Sequence, residues 1–266
     1  MIAAQADLTL ALELTDLADE ITMARFGADD LLVETKPDLT PVSEADRAVE
    51  QTLRARLAEL RPGDAILGEE YGVDAVEGAR RRWVVDPIDG TKSYVRGVPV
   101  WATLLALEED GVLSLGVVSA PALSRRWWAV RGGGGFVREG IGAPPRPLRV
   151  SAIRSLSDAQ LCFGGFEEWL ETGRLQGLTD LSRRCWRTRG YGDFWQYMLV
   201  AEGAAEIALD PIASFWDLAA PLVVVAEAGG RFTDLGGVST AEGGDALATN
   251  GALHDAVLEV VGRGTS

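Results

Sequence analysis

The chain has 266 residues, 47% of them apolar, with 40 acidic side chains against 25 basic ones and a net charge of −15. That length and apolar content can bury a large core, as one compact unit or two closely packed halves, and the acidic balance excludes nonspecific binding to nucleic acid or to anionic membranes. No apolar run reaches the roughly eighteen residues of a membrane-spanning helix and no signal sequence opens the chain, so the sequence predicts a cytoplasmic protein whose partners are small molecules or protein.

In chain order, Ala6 to Phe26 carry Leu10, Leu14, Leu17 and Ile21 at helical spacing, which predicts an amphipathic helix ended by Gly27. Ser43 predicts the cap of a second helix reaching about Leu60, with Val49, Leu53 and Leu57 on its inner face. Asp46, three positions on, has the spacing of a capping box, with Asp in place of the preferred Glu or Gln. Ala65, Ile66 and Leu67 make a strand-like run that ends in acid, LGEEYG from Leu67 to Gly72. Trp83, Val84 and Val85 read as a short buried strand running into DPIDGT, where Pro87 interrupts the ladder and Gly90 with Thr91 supplies a turn that opens a helix. Asp86 and Asp89 thus stand three positions apart at the strand's C-terminal end, where α/β proteins put ligands. Both D-P and D-G are also common turn dipeptides.

Val100 to Leu107, Val112 to Ser119 and Trp127 to Val130 read as strands, the first two joined by Glu109-Asp110-Gly111, which predicts an antiparallel meander. Arg131 to Gly135 is a glycine-rich turn without the context of a nucleotide cradle. GIGAPPRP, Gly140 to Pro147, reads as a linker, leaving an N-terminal α+β half over 1–142 and a C-terminal α/β half over 148–266. In the second half, Phe215 to Gly230 has the form of a helix with Asp217 at its start, Pro221 in its first turn and a glycine pair as its stop; Asp217 is either a ligand or a helix cap. Arg231 to Leu235 reads as a strand and Val238 to Asp245 as a surface loop. The lone histidine, His254, lies in a C-terminal helix and reads as a surface or capping residue, not a catalyst. Cys162 and Cys185 are too few for a disulfide scaffold and read as buried, reduced thiols. These periodicities support mixed α/β and no more.

Three segments taken together, LGEEYG, WVVDPIDGT at Trp83 to Thr91 and FWDLAAPLVVVAEAGG at Phe215 to Gly230, resemble the inositol monophosphatase family of magnesium-dependent phosphatases over nearly the whole chain. The resemblance implies an α+β, layered αβαβα sandwich, a small-molecule phosphate monoester as substrate, and a homodimer. Carried over residue by residue, it makes Glu69, Asp86, the Ile88 carbonyl, Asp89 and Asp217 the ligands of two or three Mg²⁺ ions. Such hard cations take oxygen donors and leave room for phosphate oxygens. It gives the phosphate to Gly90 and Thr91, and water activation to Thr91, Asp46 and Glu69. Lys92 stands where many relatives have a second threonine, and either pairs with phosphate or is solvated. Asp193 and Asp210 fall at positions lining the alcohol side of the pocket.

Within that family the chain looks closest to the bacterial histidinol-phosphate phosphatases, through TKPDLTPVSEADRAVE at Thr35 to Glu50, DGTKSYVRGVPVWATLLAL at Asp89 to Leu107, and RGYGDFWQYMLVAEG at Arg189 to Gly203. This implies hydrolysis of L-histidinol phosphate to L-histidinol and phosphate in histidine biosynthesis, whose protonated amine suits carboxylates at Asp193 and Asp210. The alternatives are an inositol-1-phosphate or broad-specificity sugar phosphatase, or a catalytically silent relative, against which the intact acids argue. Trp101, Trp127, Trp128, Trp186, Tyr191 and Trp195 either wall the imidazole or fill the core, the commoner fate of such residues.

Overall fold

A computed structural model describes residues 2–37, 39–140 and 142–262. Its contacts divide the chain into two units, Met1–Arg131 with Val137–Arg146, and Gly132–Phe136 with Pro147–Ser266.

In the first unit, α1 (Ile2–Arg25) and a small hairpin of β1 (Val33–Thr35) and β2 (Pro41–Ser43) precede α2 (Glu44–Leu60). There follow β3 (Ala65–Gly68), β4 (Gly72–Asp74), β5 (Arg81–Asp89), α3 (Thr91–Val95), β6 (Ala102–Glu109), β7 (Val112–Ala120) and β8 (Arg125–Val130), then β9 (Gly134–Glu139) and β10 (Arg146–Pro147), of which residues 134–136 and Pro147 are counted with the second unit. The sheet order is β10-β9-β8-β7-β6-β5-β3-β4, with β3 and β5 parallel and β5 to β8 forming the expected antiparallel meander. Leu10 and Leu14 of α1 and Val49, Leu53 and Leu57 of α2 are buried where these helices pack on each other and on β5, β6 and β7. Burying such a side chain contributes roughly 1.5–3 kcal/mol.

β5 is buried from Trp83 to Asp89 and does not stop at Pro87. Asp86 lies opposite Leu104 and Asp89 opposite Ala102, so three steps on β5 span two on β6. This bulge tolerates a residue with no N–H to give the ladder. The Thr103 hydroxyl donates to the Pro87 carbonyl at 2.8 Å and fixes the distortion.

The second unit has β11 (Gln160–Phe163), α4 (Phe166–Glu171), α5 (Leu175–Ser182), β12 (Arg187–Gly190), α6 (Asp193–Ala201), β13 (Ile207–Asp210), α7 (Phe215–Glu227), β14 (Arg231–Thr233), β15 (Ala246–Thr249) and α8 (His254–Val261), with sheet order β12-β11-β13-β15-β14. Side chains alternate across β13 as a pleated strand requires. Ile207 and Leu209 join Leu161 and Leu247 in a cluster with Leu178 and Leu181 of α5 and Val257 and Val260 of α8, while Asp210 turns toward Gln196 and Tyr197 of α6.

Several local expectations are met and others change. Trp101, Trp127 and Trp128 are core, whereas Trp186 and Tyr191 are exposed. Cys162 is buried and Cys185 half-buried, and both are free thiols. Asp245 does not sit in a surface loop but is buried, accepting from the Leu235 N–H and pairing with Arg174. The Arg131 to Gly135 turn is held by Glu227 at the end of α7, which accepts from the N–H groups of Gly132 and Gly134, each at 2.8 Å. His254 is not at the surface. It is buried between Thr233 and Thr249, with a ring nitrogen 2.9 Å from each hydroxyl. Thr233 already donates to the Asp234 carbonyl, so Nε2 must donate to Thr233 and Nδ1 accept from Thr249: a neutral ring satisfies both. Among the described residues no helix is long and apolar enough to cross a membrane.

Candidate active site

The first unit brings the DPIDGT residues together by bending β5. Asp86, Ile88 and Asp89 are all buried, and carboxylate oxygens of Asp86 and Asp89 lie within 4.8 Å of each other. Gly90 then takes φ 81°, a left-handed conformation that glycine adopts without a Cβ clash, and turns the chain into α3. The first N–H groups of a helix have no carbonyl partner within it, so the Gly90–Thr91 corner offers donors beside the two aspartates.

Thr91 has one hydroxyl proton and two acceptors for it, the Ile88 carbonyl at 2.9 Å and Asp46 Oδ1 at 3.2 Å. The water-orienting and capping-box readings of Asp46 are compatible, because its two oxygens face different partners. Oδ2 accepts from the Ser43 N–H at 2.8 Å and from the Ser43 hydroxyl at 2.6 Å, closing the capping box of α2, while Oδ1 faces Thr91. Burial pushes Asp46 above the usual carboxylate range, more than the hydrogen bonds from Ser43 lower it, and the nearby Glu69 adds to the rise.

Glu69 lies one residue beyond β3, its N–H donating to the Val85 carbonyl at 3.2 Å, which sets it beside Asp86 across the sheet. Glu69 and Glu70 both hold the Lys36 ammonium, Glu69 at 2.7 Å. Burial works against that ammonium, but its hydrogen bonds to the two glutamates outweigh the burial and hold Lys36 above its ordinary range. Burial also raises Glu70. The sequence reading missed Lys36 and Thr103. Lys36 carries a weak signal, a lone base in an otherwise acidic site, and Thr103 carries none.

Asp217, Asp193 and Asp210 belong to the second unit. Asp217 is not the cap of α7 but its third residue: Ser214 is the cap, and its N–H donates to Asp217 Oδ2 at 2.7 Å, the arrangement seen at Ser43 and Asp46. Asp193 opens α6 at φ 49°, a conformation Asp tolerates better than most residues. Asp210 is buried and accepts from the Tyr197 hydroxyl and the Gln196 amide. Burial drives it well above the carboxylate range despite those bonds, and the charges of Asp193 and Glu168 push the same way.

The donor set fits magnesium. In the first unit it is made of carboxylate and carbonyl oxygens, with no imidazole or thiolate among them, and hard divalent cations take such ligands. The acid cluster of the first unit already attracts positive charge, since Glu69 and Glu70 share one lysine ammonium.

Residues 4–265 match the sequence profile of the inositol monophosphatase family. The chain is 57% identical over 252 residues to the histidinol-phosphatase of Mycobacterium tuberculosis, covering 95% of this chain and 96% of that protein. It is 54% identical over 256 residues to the histidinol-phosphatase of Streptomyces coelicolor, covering 95% of each. Among solved structures, the extragenic suppressor protein suhB of Bartonella henselae matches with a TM-score of 0.89 at 28% identity, over 97% of this chain and 99% of that one.

Proposed function

The chain belongs to the inositol monophosphatase family, and from that premise we propose that it is a magnesium-dependent phosphomonoesterase that hydrolyses L-histidinol phosphate to L-histidinol and phosphate, a step of histidine biosynthesis. Its fold is the mixed α/β fold of that family. The observation that carries the chemistry is the buried Asp86–Asp89 pair at the bulged end of β5, with the Thr91–Asp46 contact beside it. The substrate rests on the two histidinol-phosphatase relatives, each aligned over 95% of the chain.

Glu69, Asp86, the Ile88 carbonyl, Asp89 and, from the WDLAA motif, Asp217 would hold the magnesium. When bound, the metal supplies positive charge that offsets the phosphate oxygens and the charge that develops on them during displacement. The N–H groups at Gly90 and Thr91 orient the phosphate. With its own proton directed at Asp46 or Ile88, the Thr91 hydroxyl turns a lone pair outward, where it accepts from a water and aims that water's oxygen at phosphorus. A new P–O bond forms, the ester P–O bond breaks, the water's proton passes toward the Thr91–Asp46 couple, and the leaving oxygen takes a proton from solvent to give L-histidinol. Asp193 and, behind it, the buried Asp210 would line the alcohol side, where a carboxylate at Asp193 suits the histidinol ammonium. The family reading makes the working form a cytoplasmic homodimer.

The test is phosphate release from histidinol phosphate, inositol 1-phosphate, adenosine 3′,5′-bisphosphate and fructose 1,6-bisphosphate, with and without Mg²⁺. The highest kcat/KM is expected for histidinol phosphate, only with the metal. A preference for inositol 1-phosphate would replace the substrate assignment, and release independent of metal would end the mechanism.

A further inference from the structure

The turn that carries Glu69 is gripped from inside by an acid of another element. Glu50, on α2, is 0% exposed and lies on the buried face of the helix, three residues before Leu53 and seven before Leu57. Its Oε2 accepts from the Glu70 N–H at 2.7 Å, and its Oε1 accepts from the Tyr71 N–H at 3.2 Å and from Arg54 Nε at 2.8 Å. Arg54 closes the grip from the other side, donating to the Gly72 carbonyl and pairing with Asp74 at 2.6 Å. The pair therefore spans the hairpin in which β3 and β4 run antiparallel from Gly68 opposite Gly72.

The fit is tight enough to dictate a residue. A Cβ on Gly68 would lie 2.0 Å from Glu50 Oε1, with backbone and carboxylate both held, so glycine at the head of the G-E-E segment makes room for this side chain. A buried carboxylate is costly unless it is paired and hydrogen-bonded. Here its bonds go to the backbone of a three-residue turn whose first side chain, Glu69, stands beside Asp86. Were the fold alone at stake, an apolar residue in line with Val49 and Leu53 would fill this place without the burial of a charge.

We propose that Glu50 is a positioning residue for the metal centre: its carboxylate fixes the backbone of Glu69 to Tyr71 and so sets where Glu69 presents its oxygens. The proposal rests on the reading of Glu69 as a magnesium ligand, and the experiment separates the two.

Mg²⁺ binding to the full-length chain is measured by isothermal titration calorimetry without substrate, alongside Tm. Glu50→Gln replaces an acceptor with an amide that cannot receive both N–H groups, and Gly68→Ala displaces the carboxylate from the opposite side. Each is expected to raise the Kd for Mg²⁺ at least tenfold. Val49→Ala, a buried neighbour on the same helix, should lower Tm and leave that Kd within about twofold of the parent. On a Glu69→Gln background Glu50→Gln should add less than a further twofold, because both changes act on one ligand.

Folded Glu50→Gln and Gly68→Ala proteins that bind Mg²⁺ like the parent, while Glu69→Gln weakens binding, overturn the positioning role and leave Glu69 a ligand. Full additivity in the double variant overturns it too. Unaltered binding by Glu69→Gln instead overturns the ligand reading beneath it. Should Glu50→Gln fail to fold, Gly68→Ala decides.

Discussion

The Thr91 hydroxyl meets Asp46 Oδ1 at 3.2 Å, while the other oxygen of the same carboxylate takes the Ser43 N–H at 2.8 Å. A helix cap and the proposed water-orienting couple therefore share one side chain, and their contributions can be separated by where the contact is cut. Ser43→Ala removes the hydroxyl from the cap and leaves the backbone N–H; it should cost about 1 kcal/mol of stability and leave kcat within about twofold. Asp46→Asn should lower kcat at least tenfold as well as Tm, and Thr91→Ala should lower kcat far more than Mg²⁺ affinity. Thermal melts and steady-state kinetics on the three variants check this, and equal kinetic losses for Ser43→Ala and Asp46→Asn would reduce Asp46 to a cap.

EDTA should abolish phosphate release and added Mg²⁺ should restore it. Asp89→Asn and Asp217→Asn keep the side-chain shape but remove a ligand charge, and each should lower kcat by at least ~100-fold, a barrier increase of about 2.7 kcal/mol. Near-parental turnover in both would remove these two residues from the ligand set. The Asp217 variant will also lose Tm, since an amide is a weaker acceptor for the Ser214 N–H than a carboxylate.

Selectivity should follow Asp193. Asn keeps the tolerance for φ 49° that the start of α6 demands, so Asp193→Asn tests charge without backbone strain. Charged hydrogen bonds contribute roughly 1.5 to 3 kcal/mol. The variant should lose about tenfold or more in kcat/KM for histidinol phosphate, as about 1.4 kcal/mol requires, and hydrolyse an aryl phosphate nearly as before. Equal losses on both substrates would make Asp193 structural.

His254 gives the fold an acid sensitivity. Burial, with the charge of Arg231 acting in the same direction, lowers it from 6.5 to about 4. Between these values the unfolded chain takes up a proton that the folded chain refuses. The stabilisation is therefore complete above pH 6.5 and is lost as pH falls through 4, on the order of 3 kcal/mol in all. His254→Gln should flatten the fall in unfolding free energy over that window, measured by urea denaturation. A slope identical to the parent would show that other groups set it.

The acids of DPIDGT were legible because their signal is local: a strand that ends in two carboxylates, a proline and a glycine has few structural uses. The helix over 44–60 and the meander of β6 to β8 were legible for a similar reason, since period and turn chemistry agree. What sequence reasoning missed depends on contacts between distant positions. The helical period places Glu50 on the buried face, three residues before Leu53, but nothing near it announces what satisfies its carboxylate, because its partners are backbone groups 20 and 21 residues away. His254 looked like a surface residue because its neighbours in sequence are those of an ordinary helix start. The two threonines that bury it come from β14 and β15, and no periodicity connects them.

The grip of Glu227 on Gly132 and Gly134 has a consequence for how the chain is made. The five residues 132–136 belong to the second unit although the chain returns afterwards to the first, so no single cut severs one unit from the other. On the ribosome, Gly132 emerges 95 positions before its acceptor. At 5–20 residues per second that is roughly 5 to 20 s, during which those two amides lack their acceptor. A nascent chain stalled before α7 should therefore leave the Arg131 to Gly135 turn open to a protease, and release of the full length should close it.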